Sequence, residues 1–160
     1  MKDLLLRIHS SKRLTLVLLA VSHLVSALSV AAFGYMCYLT LSDSVSEFIK
    51  LALTLALPFL AITLLRKLIN APRPYELYDV YDTAPKNKKG SSFPSRHAHS
   101  AFAIGTLLCF FSLPLGIILL ALALLLSAAR VLLGIHFVRD VLAGALTGVG
   151  TAIIGILIFF

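Results

Sequence analysis

Apolar stretches close to bilayer length follow one another along the chain, and they limit the fold before any motif is considered. A helix needs about 20 mostly apolar residues to cross the hydrocarbon core. Lipid offers backbone groups no hydrogen bonds, so spanning segments are helices or closed barrels. Leu14 to Leu41 is one such stretch, long enough for a tilted span. Ser42 to Ser46 is a polar turn into a second span that ends at Arg66, and His97 to Ser112 is a shorter apolar segment beyond a polar loop. L-P-L-G turns the chain at Leu113 to Gly116, Ile117 to Leu133 follows, and a last span covers Val141 to Phe160. With 59% hydrophobic and 13% charged residues among 160, little remains for a soluble domain. The expected fold is all-α, a polytopic transmembrane helical bundle of about five spans. It forms one domain over 1–160, with a basic N-terminal segment over 1–13 and a polar loop over 70–93.

The opening M-K-D-L-L-L-R-I-H-S-S-K-R has the charge of a signal peptide. The stretch after it is too long for a signal h-region and lacks an A-x-A site, so it reads as a retained first span. Cys37 and Cys109 lie in apolar stretches and read as small packing residues rather than a disulfide or metal pair.

Three polar clusters interrupt this pattern: Arg66 to Pro74, Phe93 to His97, and Arg130 to Asp140. Ionisable groups at membrane depth are costly, so clusters that recur at span ends point to a site. The second span ends at Arg66, the third begins near His97, the fourth ends near Arg130 and the fifth begins near Asp140. All three clusters therefore share one membrane face. Helix N-termini just after Pro94 and near Phe137 aim amide donors and positive dipoles between them, which suits an anion.

In R-V-L-L-G-I-H-F-V-R-D, His136 and Asp140 are four apart, so with a helix that begins by Phe137 they share one face and the carboxylate can hold one imidazole nitrogen while the other faces outward. That is how a nucleophilic histidine is prepared. Gly134 ends the preceding helix and lets Arg130 and His136 converge. Alone, the same residues also fit an interfacial arginine and a His–Asp pair that caps a helix. In S-S-F-P-S-R-H, Pro94 suits a first helical turn and Ser92 or Ser95 can cap it, which leaves the amides of Ser95 to His97 free for phosphoryl oxygens. His97 is placed to give a proton to a leaving oxygen. Alone, this reads more readily as a Ser-Pro helix start with a histidine at headgroup level. His9, His23 and His99 carry no more than such an ordinary reading. In L-L-R-K-L-I-N-A-P-R-P, Pro72 and Pro74 restrict Arg73, whose guanidinium offers paired donors to phosphate. Arg66 and Lys67 taken singly fit basic residues that snorkel to the headgroups.

Together the clusters resemble the type 2 phosphatidic acid phosphatase family, membrane lipid phosphate phosphatases related in site to vanadium haloperoxidases. The family pattern is K-x6-R-P, then P-S-G-H, then S-R-x5-H-x3-D. Arg73-Pro74, Pro94-Ser95, His97, Arg130, His136 and Asp140 match it in order, over residues 60 to 145. Three positions depart. Arg66 stands where the family has lysine, with Lys67 one place off; Arg96 replaces the glycine of P-S-G-H; Ala129 replaces the serine before Arg130. None removes a reacting group.

The resemblance implies that His136 attacks phosphorus to give a phosphohistidine, Asp140 orients its imidazole and His97 protonates the leaving oxygen. It also implies that Arg66, Arg73, Ser95, Arg96 and Arg130 bind phosphate, with Lys67 and Pro94 beside them as further candidates and 70–93 as the active-site loop. No metal, cofactor or nucleic acid is expected, and a monomer is favoured. The family's bacterial substrates include undecaprenyl pyrophosphate, phosphatidylglycerol phosphate and phosphatidic acid, and no residue here selects one. A phosphotransferase would share every residue named, and a non-catalytic transporter or scaffold would also carry buried charges.

The expected location is the cell membrane, a bacterial inner membrane, as a multi-pass protein. Of fourteen Lys and Arg, all but Lys50 fall on the face that holds the N-terminus and the clusters. By the positive-inside bias this puts the site on the cytoplasmic side. G-A-L-T-G at Gly144 to Gly148, continued by Ala152 and Gly155, is a small-residue stripe that suits packing within the bundle. Glu76, Asp79 and Asp82 read as acids of a solvated loop.

Overall fold

The computed structural model describes residues 2–78 and 89–159, and these form helices and no strand. The helices are α1 (Lys2–His9), α2 (Lys12–Asp43), α3 (Val45–Ile69), α4 (Pro74–Tyr78), α5 (Arg96–Phe111), α6 (Leu113–Leu132) and α7 (Val138–Phe159). The five long elements expected from the sequence are all present. Four of them, α2, α3, α6 and α7, are long and apolar enough to cross a membrane. α5 has only 16 residues and packs against each of those four, so it forms the axis of the bundle.

Serines set the joints. The Ser44 amide donates to the Thr40 carbonyl to close α2, and its hydroxyl accepts from the Glu47 amide at 3.1 Å to open α3. With Glu47 in the first turn this S-x-x-E arrangement contracts the expected five-residue turn to a single residue. Ser112 joins α5 to α6 through its backbone alone, its amide on the Leu108 carbonyl and its carbonyl accepting from the Gly116 amide at 2.9 Å. The L-P-L-G stretch is therefore the first turn of α6, where proline costs no hydrogen bond. A Cβ on Gly116 would lie 2.4 Å from the Cys109 backbone nitrogen, a measure of how closely α5 and α6 touch. Both cysteines are free.

α7 packs its small-residue stripe on α5 and α3. A Cβ on Gly144 would meet the Ser95 carbonyl at 2.5 Å, one on Gly148 the His99 carbonyl at 2.3 Å, and one on Gly155 the Thr54 side chain. Close backbone approach within the bundle is thus the use of the stripe. Between these helices lie two apolar clusters, one around Phe102, Leu126 and Val141 and one around Met36, Leu51 and Leu107.

Two differences lie at the charged end. α3 runs one turn beyond Arg66 and closes at Asn70, a left-handed residue whose amide donates to the Arg66 carbonyl at 3.0 Å. The basic N-terminal segment is a helix, α1, with Leu5 and Ile8 buried, and it contacts α2 and α6. Leu5 packs against Gly134, in the turn that precedes His136.

Candidate active site

α3 and α6 end, and α5 and α7 begin, at the same end of the bundle. There the structure holds a cavity of about 370 Å³ lined by Thr63, Arg66, Lys67, Arg73, Tyr75, Lys89, Gly90, Ser91, Arg96, His97, Arg130, Ile135 and His136. All three clusters contribute to it. Among the described residues six of its lining side chains are Lys or Arg, and none is an acid.

His136 sits on the α6–α7 turn. Gly134 adopts φ +67°, a conformation that costs glycine little, and so reverses the chain after α6. The amides of Ile135 and His136 then both donate to the Arg130 carbonyl, at 3.1 and 3.3 Å, which ties the histidine to the residue carrying one guanidinium of the cavity. The His136 side chain is 2% exposed. Burial pushes its pKa down to about 4; Asp140 opposes this, while Arg73 and Arg66 add to it. The imidazole is neutral at neutral pH, the form that carries a nucleophilic lone pair.

Asp140 is fully buried behind it, but the two do not bond directly. Nδ1 of His136 and Oδ2 of Asp140 are 3.7 Å apart, beyond hydrogen-bond reach. Ser92 bridges them. Its hydroxyl donates to Asp140 Oδ2 at 2.5 Å and lies 3.4 Å from His136 Nδ1, while the Phe137 amide donates to the same carboxylate oxygen at 2.9 Å. With its proton on the carboxylate, the Ser92 oxygen accepts from Nδ1–H, which leaves Nε2 with the lone pair. Asp140 thus reaches His136 through a hydroxyl that the sequence suggests only as a helix cap. Nothing in S-S-F-P-S-R-H marks Ser92 for this, since its partners lie 44 and 48 residues away.

The cations are held by backbone carbonyls. Arg66 is buried at the end of α3 and donates through Nη1 to the Pro94 carbonyl at 2.7 Å and through Nη2 to the Ser91 carbonyl. Lys67 also lines the cavity but is exposed. Arg73 donates through Nε to the Gly90 carbonyl at 3.0 Å and lies 5.8 Å from the Tyr75 ring centre. The Tyr75 amide in turn donates to the Gly134 carbonyl at 3.1 Å, which joins the loop to the histidine turn. Glu76 accepts from the Gly90 amide at 2.8 Å and the Arg73 amide at 3.3 Å, and so staples this loop. Asp79 and Asp82 lie outside the described residues. The Arg130 Nε is buried with no hydrogen-bond partner among the described residues.

Two expectations for the second cluster are corrected. Pro94 precedes the helix rather than starting it, and the cap is Ser95, whose hydroxyl accepts from the Ala98 amide at 3.4 Å. The Ser95 amide is not free for phosphate: it donates to the Asp140 carbonyl at 2.9 Å, and the residue is fully buried. Its contribution is to lock the start of α5 against α7. His97, one residue into α5, is exposed to the cavity, as is the partly buried Arg96.

The PAP2 superfamily profile matches residues 31–160. The chain belongs to the PAP2 superfamily. Over 82 residues it is 37% identical to the bacitracin transport permease protein BcrC of Bacillus licheniformis, a stretch that is 48% of this chain and 40% of that relative. The chain thus aligns with less than half of BcrC. Among solved structures, the crystal structure of Aquifex aeolicus LpxE superposes with a TM-score of 0.74 at 26% identity, covering 97% of this chain and 93% of that one. The transmembrane PAP2 type phosphatidylglycerolphosphate phosphatase from Bacillus subtilis gives 0.70 at 23% identity, over 96% and 81%, a likeness of fold. This chain is a multi-pass membrane protein of that superfamily.

Proposed function

We propose that the protein is a lipid phosphate phosphatase that hydrolyses a phosphomonoester or pyrophosphate headgroup through a phosphohistidine. The observation that carries the reading is a neutral, buried His136, backed by Ser92 and Asp140, on the wall of a cavity whose charged lining among the described residues is cationic. Arg66, Arg73, Arg96 and Arg130 hold the phosphoryl oxygens, and the Arg130 Nε, which has no partner among the described residues, finds its acceptor there. The His136 Nε2 lone pair attacks phosphorus. The bond from phosphorus to the leaving oxygen breaks, and that oxygen takes its proton from His97, whose pKa burial and the Arg130 charge lower to about 3 and which the bound phosphoryl dianion raises again so that it can carry the proton. Water then attacks the phosphohistidine, gives a proton back to His97, and releases phosphate and the free imidazole. The barrier falls mainly through positioning and preset positive charge, as phosphoryl transfer requires.

His136→Ala in detergent-solubilised protein tests this: phosphate release from a lipid phosphate is expected to fall to background, and an undiminished rate overturns the assignment. The site is read as facing the cytoplasm, on the charge bias described above. Asp43, exposed at the α2–α3 turn, then faces outward, so Asp43→Cys in a protein lacking Cys37 and Cys109 is expected to be labelled from outside intact cells.

A further inference from the structure

α1 has only 8 residues, too few to hold a helix in water, so what it packs against decides whether it stays folded and seated. On its inner face only Leu5 and Ile8 are buried, with the Thr15 hydroxyl donating to the Ile8 carbonyl at 3.3 Å. The outer face is basic. Lys2 and Arg7, with Lys12 and Arg13 just beyond the Ser10–Ser11 joint, are all exposed, and Asp3 is the one acid of residues 2–13. Leu4 and Leu6, on the flanks, are 46% and 48% exposed. Cations beside half-exposed leucines suit the headgroup layer of an anionic bilayer, and α1 lies at the charged end of the bundle, where that layer meets the protein.

The inner face reaches the candidate site. Leu5 is fully buried, and a Cβ on Gly134 would lie 3.3 Å from its Cδ1 and 3.8 Å from the Tyr75 amide nitrogen. Leu5 therefore sits where the α6–α7 turn meets the segment that follows Arg73. There the Tyr75 amide donates to the Gly134 carbonyl, and the Ile135 and His136 amides donate to the Arg130 carbonyl. With Leu5 withdrawn, Gly134 loses its packing on one side. A glycine at φ +67° without that support is free to move His136, two residues on.

We propose that α1 is a clamp set by the membrane surface: an anionic bilayer binds its basic outer face, and Leu5 on its inner face then seats the turn that presents His136. This rests on the phosphatase reading and adds to it a control by surface charge. Leu5 is a positioning residue, since it acts through Gly134 and touches no reacting atom. A basic residue close to an anionic surface favours the bound state about fivefold, so four of them are comparable with the hold of two buried apolar side chains. Seating of α1 thus responds to the lipid around it.

The experiment places the full chain in nanodiscs, where both faces meet solvent, and follows kcat on soluble para-nitrophenyl phosphate. At saturation, repulsion of this substrate by an anionic surface does not enter. Replacing a third of the phosphatidylcholine by phosphatidylglycerol is expected to raise kcat about threefold, and concentrated NaCl to remove the increase. The combined variant Lys2→Gln, Arg7→Gln, Lys12→Gln and Arg13→Gln is expected to show one kcat in both discs. Leu5→Ala is expected to lower kcat about tenfold with KM little changed, and Leu5→Met to restore it. Equal wild-type kcat in the two discs, a response that survives the salt, or Leu5→Ala at wild-type kcat overturns the clamp while the phosphatase reading stands. If no phosphate is hydrolysed, that reading falls and amide hydrogen exchange decides the clamp alone: slower exchange over 2–9 and 133–136 in phosphatidylglycerol supports it, and equal exchange overturns it.

Discussion

The bridging role of Ser92 makes a quantitative prediction for Ser92→Ala. The substitution removes the hydroxyl that donates to Asp140 Oδ2 at 2.5 Å and that keeps the carboxylate 3.7 Å from His136 Nδ1. Ser92 and Asp140 are both fully buried, so bulk water does not replace the hydroxyl. Among the described residues the carboxylate already has one oxygen, Oδ1, without a hydrogen-bond partner, with the exposed Arg139 Nε 3.6 Å away, and it keeps only the Phe137 amide on the other. A hydrogen bond to a charged group contributes about 1.5–3 kcal/mol, so the protein loses about 2 kcal/mol of stability. Activity suffers more. With the bridge gone, Nδ1 and Oδ2 close to ordinary hydrogen-bond distance, about 2.9 Å, which moves the imidazole by about 0.8 Å. Misplacement by about 1 Å costs on the order of 100-fold, and the arginines that bind phosphate are untouched, so kcat is expected to fall about 30- to 100-fold with KM little changed. The direct carboxylate contact also stabilises the imidazolium, so the acid limb of the pH profile moves up from its wild-type position. Steady-state phosphate release from a lipid phosphate, with a thermal unfolding curve on the same preparation, measures all three. A kcat within about twofold of wild type, in protein that unfolds at the expected lower temperature, refutes the bridge.

Other outcomes follow from the same geometry. The His136 pKa lies near 4, below the ordinary 6.5, so the imidazole stays neutral until the pH falls that far; the acid limb of kcat/KM is expected near pH 4, and a limb near 6.5 counts against His136 as nucleophile. Gly148→Ala places a methyl 2.3 Å from the His99 carbonyl and forces α7 from α5, at about 1–3 kcal/mol, whereas Gly34→Ala meets nothing within 4 Å and is expected to be neutral or stabilising; thermal unfolding in detergent separates the two. Guanidinium groups supply the positive charge, so phosphate release is expected to persist after exhaustive dialysis against EDTA, and a loss restored by a divalent cation contradicts the metal-free mechanism.

Much of this was legible in the sequence because membrane insertion leaves few choices. Long apolar runs dictate helices, and connectivity alone puts Arg66, Arg73, His97, Arg130 and His136 at one end of the bundle. Gly134 was readable for a local reason, since a reversal of the chain immediately after a helix needs a left-handed residue there. What escaped was whatever depends on partners far along the chain. Ser92 meets Asp140 across 48 residues, and the Ser95 amide meets the Asp140 carbonyl across a helix interface, so neither has a local signature. Helix ends also escaped by a few residues: nothing in R-K-L-I-N says that the helix runs on to Ile69, and the left-handed Asn70 decides it.

Arg66, the departure from the family's lysine, has a structural explanation in these carbonyl contacts. Its guanidinium bonds the carbonyls of Ser91 and Pro94, the residues on either side of Ser92 and Phe93, and lines the cavity at the same time. A guanidinium has five donors in a fixed fork, so two can hold the loop while others face the cavity; an ammonium has three on one nitrogen and cannot span two carbonyls and a phosphate in that geometry. Holding the 91–94 backbone also holds Ser92, and through Ser92 the carboxylate and the His136 ring. In the proposed reaction the same cation therefore links binding of the anion to alignment of the nucleophile, a coupling that a point charge at this position would not supply.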